Sequence, residues 1–187
     1  KYGEKEETDI AIRVIVDHIR AISFAIADGQ LSSNNKAGYV IRRILRRAVR
    51  YGYTFLNFDR PFLYLLVDVL ADQYKGFFDE LDSQRELISK VIKEEESSFL
   101  RTLDNGLKRL DQIKEKLSSQ NETIINGREV FELYDTYGFP LDLTALIARE
   151  NGLKIDESGF NSAMAEQKNR SKADAASEKG DWVELLP

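Results

Sequence analysis

Five arginines between positions 42 and 50 are the feature of this sequence that most clearly suggests chemistry. On a helix over 39–51, at 100° per residue, they lie opposite an apolar stripe. The two groups are Arg42, Arg43, Arg46, Arg47 and Arg50, and Ile41, Ile44, Leu45, Ala48 and Val49. Guanidinium groups suit phosphate, so this face is a candidate nucleic-acid backbone site. The alternatives are a solvated face or ion pairs with a neighbouring acidic helix.

Two polar turns extend this candidate site. The loop 29–38 precedes the arginine helix and carries Asn34 and Lys36, among residues that favour turns. With Lys36 included, the stretch 29–58 holds six basic residues and no acidic one, although the chain has a net charge of −5. A second turn, at 135–140, begins with Asp135 and is rich in aromatic residues. A local basic region in an acidic protein points to a binding partner.

Composition excludes several kinds of active site. The chain has no Cys and one His, which rules out thiolate metal sites, a Cys nucleophile and His-based metal trios. His18, at the edge of an apolar helical stripe, is interpreted as a packed or surface residue. No pair of acids converges on one apolar helix face, so we predict no catalytic residue and no metal ligand in this chain. No apolar run is long enough for a membrane span, and a cytoplasmic protein is expected.

The elements that must position these residues are mostly helices. Apolar spacing predicts helices over 8–28, 39–51, 59–70, 79–117, 128–134, 143–150 and 156–179, five to seven in all, with Asp59-Arg60-Pro61 as the start of the third. The predicted fold class is all-α, a helical bundle with one long helix (79–117) and a minimal β hairpin near 124–128. Glu96 and Gly106 interrupt the heptad-like seam of the long helix. We expect a helical recognition domain at 1–117 and a smaller helical segment at 118–187. The chain begins at Lys1 without Met, and we expect it to be a piece of a longer protein.

Two long motifs resemble one family. The first comprises 17–21, 26–29, Ser33, Asn34 and 38–48, which ends in Gly-Tyr-Val-Ile-Arg-Arg-Ile-Leu-Arg-Arg-Ala. The second comprises Asn126, Gly127, Phe131, Leu133-Tyr-Asp-Thr-Tyr-Gly-Phe-Pro140 and 142–144, followed by Gly159, Phe160, Met164 and Gln167. In these residues and their order, the chain resembles the middle helical region of alanyl-tRNA synthetases over nearly its whole length. It departs at Ser32, where the family usually has Pro, and at Ala37, where it usually has a basic residue.

The resemblance implies binding of the acceptor stem of alanine tRNA, with Lys36, Arg42, Arg43, Arg46, Arg47 and Arg50 contacting its backbone. In this family, positions like Asn34 and Asp135 are linked to reading the G·U pair of that stem. The chemistry suits the role, because a G·U wobble leaves the guanine 2-amino group free in the minor groove, and a carboxylate or amide oxygen accepts from it. The alternatives are that Asn34 stabilises its own loop and that Asp135 caps a helix starting near Thr136.

The resemblance also implies which parts of the enzyme lie elsewhere. It implies that the longer protein is an alanine–tRNA ligase with ATP and Mg²⁺ in its catalytic core and Zn²⁺ in its editing domain. This chain is expected to hold no cofactor and to be inactive alone. Its expected partners are alanine tRNA and the catalytic and editing domains of the same chain, with neither membrane nor DNA. The alternative function is a helical protein-interaction module without RNA specificity.

Overall fold

The computed structural model describes residues 2–33 and 36–177, with the side chains of Lys36 and of residues 172–177 outside the description. Within these ranges the fold is all-α, as predicted, with eight α-helices, a 3₁₀ turn and two very short strands. The helices are α1 (Glu6–Ala27), α2 (Lys36–Leu56), α3 (Leu66–Gln73), α4 (Asp79–Ser83), α5 (Arg85–Gln120), α6 (Gly127–Asp135), α7 (Leu141–Glu150) and α8 (Glu157–Ser177). The strands are β1 (Ile124–Ile125) and β2 (Lys154–Ile155), and the 3₁₀ turn is Leu63–Leu65.

Helices α1 and α2 pack along each other through the apolar stripes predicted from sequence. On the predicted stripe of α1, Ile15, Ile19, Ser23 and Ile26 are buried, whereas Ile12 is half-buried and Val16 is 60% exposed. The stripe of α2 is buried apart from the half-buried Ile44. Helix α1 ends at Ala27, and Gly29 follows with φ +83°, a backbone conformation that L side chains rarely adopt. The loop therefore reverses direction at Gly29 and leads to the arginine-bearing helix.

The long helix predicted at 79–117 is interrupted at Gln84. Its main part is α5, with 36 residues and a length of about 54 Å. Contacts with other elements fix the break: the Gln84 side chain donates to the Ala27 carbonyl at 2.9 Å, and Arg85 pairs with Asp72 and Asp82, each at 2.7 Å. Because Ala27 and Asp72 lie elsewhere in the chain, the heptad pattern gives no sign of the break. The break divides one predicted helix into α4 and α5, which explains why eight helices are described where five to seven are predicted.

The two residues that interrupt the heptad seam are buried within it. The Glu96 carboxylate accepts the backbone N–H groups of Phe62 (2.8 Å) and Leu63 (3.1 Å). It thereby satisfies backbone donors at the start of the 3₁₀ turn that leads into α3. Burial raises the pKa of Glu96, and the backbone donors oppose this shift. Gly106 makes room for Phe139, because a Cβ at Gly106 would lie 2.4 Å from a carbon of that ring.

The predicted hairpin near 124–128 is wrong. β1 exists, but it pairs in parallel with β2, placing Ile124 opposite Lys154 and Ile125 opposite Ile155. The Asn-Gly pair that suggested a tight turn begins α6 instead, where the Asn126 side chain accepts the Arg128 N–H at 2.9 Å. Asn is as favourable at a helix N-cap as in a hairpin turn, so the dipeptide alone does not separate the two.

The hydrophobic core runs through most of the described chain. One cluster of buried residues contains members from α1, α2, α5, α6, α7 and α8. It therefore includes residues on both sides of position 118, where the sequence predicts a division between two segments. That division stays a prediction.

Candidate nucleic-acid interface

The arginine face of α2 is in place, and other helices supply acidic partners for most of it. The apolar side of α2 packs into the core, and four of the five guanidinium groups contact α5, α7 or the turn after α6. Four of them form ion pairs: Arg42 and Arg46 with Glu95, Arg43 with Asp142, and Arg50 with Glu150. Their backbone-binding role stays a prediction, and the ion pairs give these side chains a second role in packing helices together.

Glu95 is the central acceptor of this region. Its carboxylate accepts Arg46 Nη2 at 2.7 Å and Nε at 3.0 Å, and it lies 3.2 Å from Arg42 Nε. The other carboxylate oxygen accepts the Ser32 hydroxyl at 3.1 Å, and that hydroxyl itself accepts Arg42 Nε at 3.1 Å. Only 11% of the Glu95 side chain is exposed. A partly buried network therefore joins Ser32, in the first half of the 29–38 loop, to α2 and α5.

Arg50 is the most buried arginine of the face. Two hydrogen bonds, of 2.6 and 3.0 Å, connect its guanidinium to both oxygens of Glu150 on α7. Its charge also lies over the rings of Tyr51 and Phe55, at 5.3 and 5.2 Å from their centroids. With 4% of the residue exposed, Arg50 has little surface left for a ligand.

Arg47 differs from the other four. It is half-buried and has no carboxylate partner among the residues that the structure describes, and its Nε makes no hydrogen bond there. Its charge acts on His18 of α1: burial lowers the pKa of His18, the Arg47 charge adds to that shift, and the Asp17 carboxylate opposes it. His18 is half-buried beside Asp17, which agrees with the interpretation of a packed residue.

The predicted base-reading residue Asn34 lies outside the described residues, as does the side chain of Lys36. The flanking residues are tightly placed. A Cβ at Gly38 would lie 2.3 Å from both the Leu31 carbonyl oxygen and the Ser33 hydroxyl, so the loop folds closely onto the first turn of α2. The Gly38 position therefore requires a residue without a side chain.

Asp135 is the last residue of α6, and its side chain is exposed. It makes no hydrogen bond or ion pair to any described residue. The alternative that Asp135 caps a helix starting near Thr136 is wrong: Thr136 closes α6 by donating its N–H to the Glu132 carbonyl, and the next helix begins at Leu141. A carboxylate at the C-terminal end of a helix is electrostatically unfavourable, so local structure gives no reason for an acid at this position.

The turn after Asp135 is held from several directions. Thr102 of α5 donates its hydroxyl to the Tyr137 carbonyl at 2.8 Å, and Arg46 donates to the Gly138 carbonyl. The Phe139 ring packs edge-on against Phe99 at 5.9 Å. Gly138 itself has φ +69°. The segment that carries Asp135 is therefore anchored to α5 and α2.

Sequence reasoning missed Glu95 and Thr102. With Phe99 they form a strip on α5 at positions i, i+4 and i+7, the spacing of one helix face. That spacing is visible in the sequence, but the groups they contact are not. Among the described residues no group of three His, Asp or Glu side chains could hold a metal ion. In the same part of the chain, no helix combines the length and apolar character that a bilayer span requires.

The chain is similar to known proteins over almost its whole length. The family model described as tRNA synthetases class II (A) matches residues 1–185. The chain is 66% identical over 183 residues to the alanine–tRNA ligase of Cytophaga hutchinsonii, 58% over 186 to that of Christiangramia forsetii and 59% over 184 to that of Porphyromonas gingivalis. These matches cover 98 to 100% of the chain and 21% of each relative. The chain thus spans about a fifth of the length of these curated relatives.

Proposed function

Because this chain belongs to the alanyl-tRNA synthetases, a family of class II tRNA synthetases, we propose that it is the tRNA-recognition part of an alanine–tRNA ligase. In this role it binds the acceptor stem of alanine tRNA and reads the G·U pair in the minor groove. The longer enzyme, called the parent below, joins alanine to that tRNA in translation.

The exposed carboxylate of Asp135, which has no hydrogen-bond or ion-pair partner among the described residues, is the observation that carries this proposal. It sits at a helix end that disfavours negative charge, on a turn fixed by Thr102, Arg46 and Phe99. An anchored acceptor with no partner in the described part of the chain suits a donor supplied by a ligand. The guanine 2-amino group of a G·U pair is such a donor, because uracil leaves it unpaired.

Asn34 is the proposed second reading residue. An amide side chain accepts from the guanine amino group and donates to a neighbouring acceptor or a ribose 2′-hydroxyl. The loop supports this role through its anchors, because Ser32 and Gly38 hold it against Glu95 and the start of α2.

The backbone contacts are proposed to come chiefly from Arg47, Arg43 and Lys36. Arg47 has no carboxylate partner in the described part of the chain, and the Arg43 side chain is 40% exposed beside Asp142. Arg42, Arg46 and Arg50 are less available, because their guanidinium groups already hold carboxylates. They add positive potential to the face without each forming a phosphate contact.

The chemical step is assigned to other parts of the parent. Among the described residues no three His, Asp or Glu side chains converge to hold a metal ion. ATP and Mg²⁺ are proposed for the catalytic core and Zn²⁺ for the editing domain, as the resemblance to the family implies. This chain alone is expected to lack alanine-dependent pyrophosphate exchange. A cytoplasmic location follows from the proposed role in translation.

The test replaces Asp135 and Asn34 by Ala in the parent and compares kcat/KM on G·U and G·C acceptor minihelices. Each single change is expected to cost about 1–3 kcal/mol on the G·U stem, the usual worth of a good base contact, and little on the G·C stem. The double variant is expected to lose less than the sum, because both residues act on one base pair.

Glu115→Ala is the matched control, an exposed carboxylate near the far end of α5. This substitution should leave kcat/KM unchanged on both the G·U and the G·C stem. Equal losses on the two stems for Asp135→Ala would show that this residue only supports the fold. Failure of the unmodified protein to bind either minihelix would favour the protein-interaction alternative.

A further inference from the structure

The two proposed reading segments are connected through one side chain that belongs to neither. Asn34 is in the loop that follows Ser32, and Asp135 precedes the turn that contains Gly138. Ser32 donates to Glu95, and Arg46, which donates to Gly138, also donates to Glu95. The carboxylate therefore lies between the two segments.

The geometry points to Glu95 as a positioning residue that fixes Ser32, two positions before Asn34, and the turn of Asp135 relative to each other, and so determines discrimination for G·U. This inference rests on the proposed function. Glu95 itself is not proposed to touch RNA, since 11% of its side chain is exposed and both of its oxygens are engaged.

The negative charge matters because the groups around it are cationic. Arg46 uses Nε and Nη2 for Glu95, which orients the planar guanidinium so that Nη1 meets the Gly138 carbonyl. The guanidinium also lies 5.1 Å from the centroid of the Phe99 ring. In Glu95→Gln the side chain keeps one acceptor oxygen but loses the negative charge, so the two Arg46 hydrogen bonds lose their charge assistance and hold the guanidinium, and with it the turn, less firmly.

The loop side depends on the same carboxylate. The Ser32 hydroxyl donates to Glu95 and accepts from Arg42, which in turn lies 3.2 Å from Glu95. These contacts hold the residue two positions before Asn34. A change at Glu95 therefore releases both segments, whereas a change at Ser32 releases only the loop.

The test compares Glu95→Gln with Glu94→Gln in the parent. Both remove one carboxylate from neighbouring positions of α5, but Glu94 is exposed. Glu95→Gln is expected to lower the ratio of kcat/KM on G·U to that on G·C minihelices by about tenfold, less than the roughly hundredfold loss that a 1 Å misplacement of reacting groups can cause. It should also speed hydrogen exchange at the Phe139 amide, which donates to the Leu133 carbonyl in the anchored turn. Glu94→Gln should change neither.

Ser32→Ala keeps the proposal testable if Glu95→Gln fails to fold. It leaves the Arg46 contacts intact and is expected to lower the same ratio by about threefold, with the Phe139 amide unchanged. An unchanged ratio in Glu95→Gln, or equal losses on both stems, overturns the inference. So does an unchanged ratio in Ser32→Ala where Glu95→Gln does not fold.

Asp135→Ala, measured in parallel, separates the two ideas. If Asp135→Ala lowers the G·U preference and Glu95→Gln does not, the inference alone fails. If Asp135→Ala leaves the preference unchanged, the proposed function itself is wrong.

Discussion

Replacing Arg50 by Met is expected to destabilise the chain without changing how its RNA affinity responds to salt. Removing one partner of a buried ion pair costs about 3–5 kcal/mol, because the other charge is left unpaired. Here 31% of the Glu150 side chain is exposed, so water can solvate part of it, and we expect about 2–3 kcal/mol. Met keeps the apolar contact with Tyr51 and Phe55 but loses the cation–π attraction, about 0.5–1 kcal/mol.

Urea unfolding of the 187-residue chain measures this loss. The double change Arg50→Met with Glu150→Gln should recover at least half of it, because no unpaired charge then remains. Arg47→Met is the matched control on the same face, and it is expected to change the free energy of unfolding by less than about 1 kcal/mol.

The salt dependence of minihelix binding separates the two arginines. Arg47→Met should reduce the log–log salt slope by about 0.7–0.9, the value of one lost phosphate contact, whereas Arg50→Met should leave the slope unchanged. A slope reduced equally by both substitutions, with equal unfolding free energies, would refute the reasoning from ion pairs.

Three further predictions concern the two residues that interrupt the seam of α5. Replacing Glu96 by Ala leaves the buried N–H groups of Phe62 and Leu63 without their acceptor, and is expected to cost about 2–3 kcal/mol in urea unfolding. Burial raises the pKa of Glu96, so the folded chain binds a proton there more readily than the unfolded chain does. As pH falls from 7 toward the pKa of the unfolded chain, the free energy of unfolding of the unmodified chain should therefore increase relative to that of Glu96→Gln. A decrease in this difference would contradict the prediction. Gly106→Ala gains up to about 1 kcal/mol of helix propensity but places a methyl group against the buried Phe139 ring. We therefore expect the free energy of unfolding to fall by about 1–2 kcal/mol, measured by thermal unfolding. A net increase in stability would show that the ring moves freely.

Periodicity in the sequence was sufficient for the helices and insufficient for their ends. The apolar stripes of α1, α2 and α5 identify these elements and their buried faces. The break at Gln84 and the start of the 3₁₀ turn at Leu63 depend on partners from other helices, the Ala27 carbonyl and Glu96. The parallel pairing of β1 with β2 joins segments about 30 residues apart, which no local pattern encodes.

The candidate site likewise has a part that the sequence predicts and a part that it does not. The arginine face could be predicted from spacing, and Asp135 from the motif around it. The acids that engage the arginines could not, because Glu95 is 49 positions from Arg46 and Glu150 is 100 positions from Arg50. Gly106 is the exception, since a glycine that breaks a heptad seam is a visible signal of a close neighbour, here Phe139.

The most direct test of base reading removes the proposed donor as well as the proposed acceptor. In the parent, kcat/KM is measured for unmodified and Asp135→Ala protein on minihelices with a G·U pair and with an inosine·U pair, which lacks the 2-amino group. If Asp135 accepts from that group, Asp135→Ala loses about 1–3 kcal/mol on G·U and almost nothing on inosine·U, and the unmodified protein loses a similar amount on the inosine stem. Equal losses from Asp135→Ala on both stems would contradict the claim that this carboxylate reads the G·U pair.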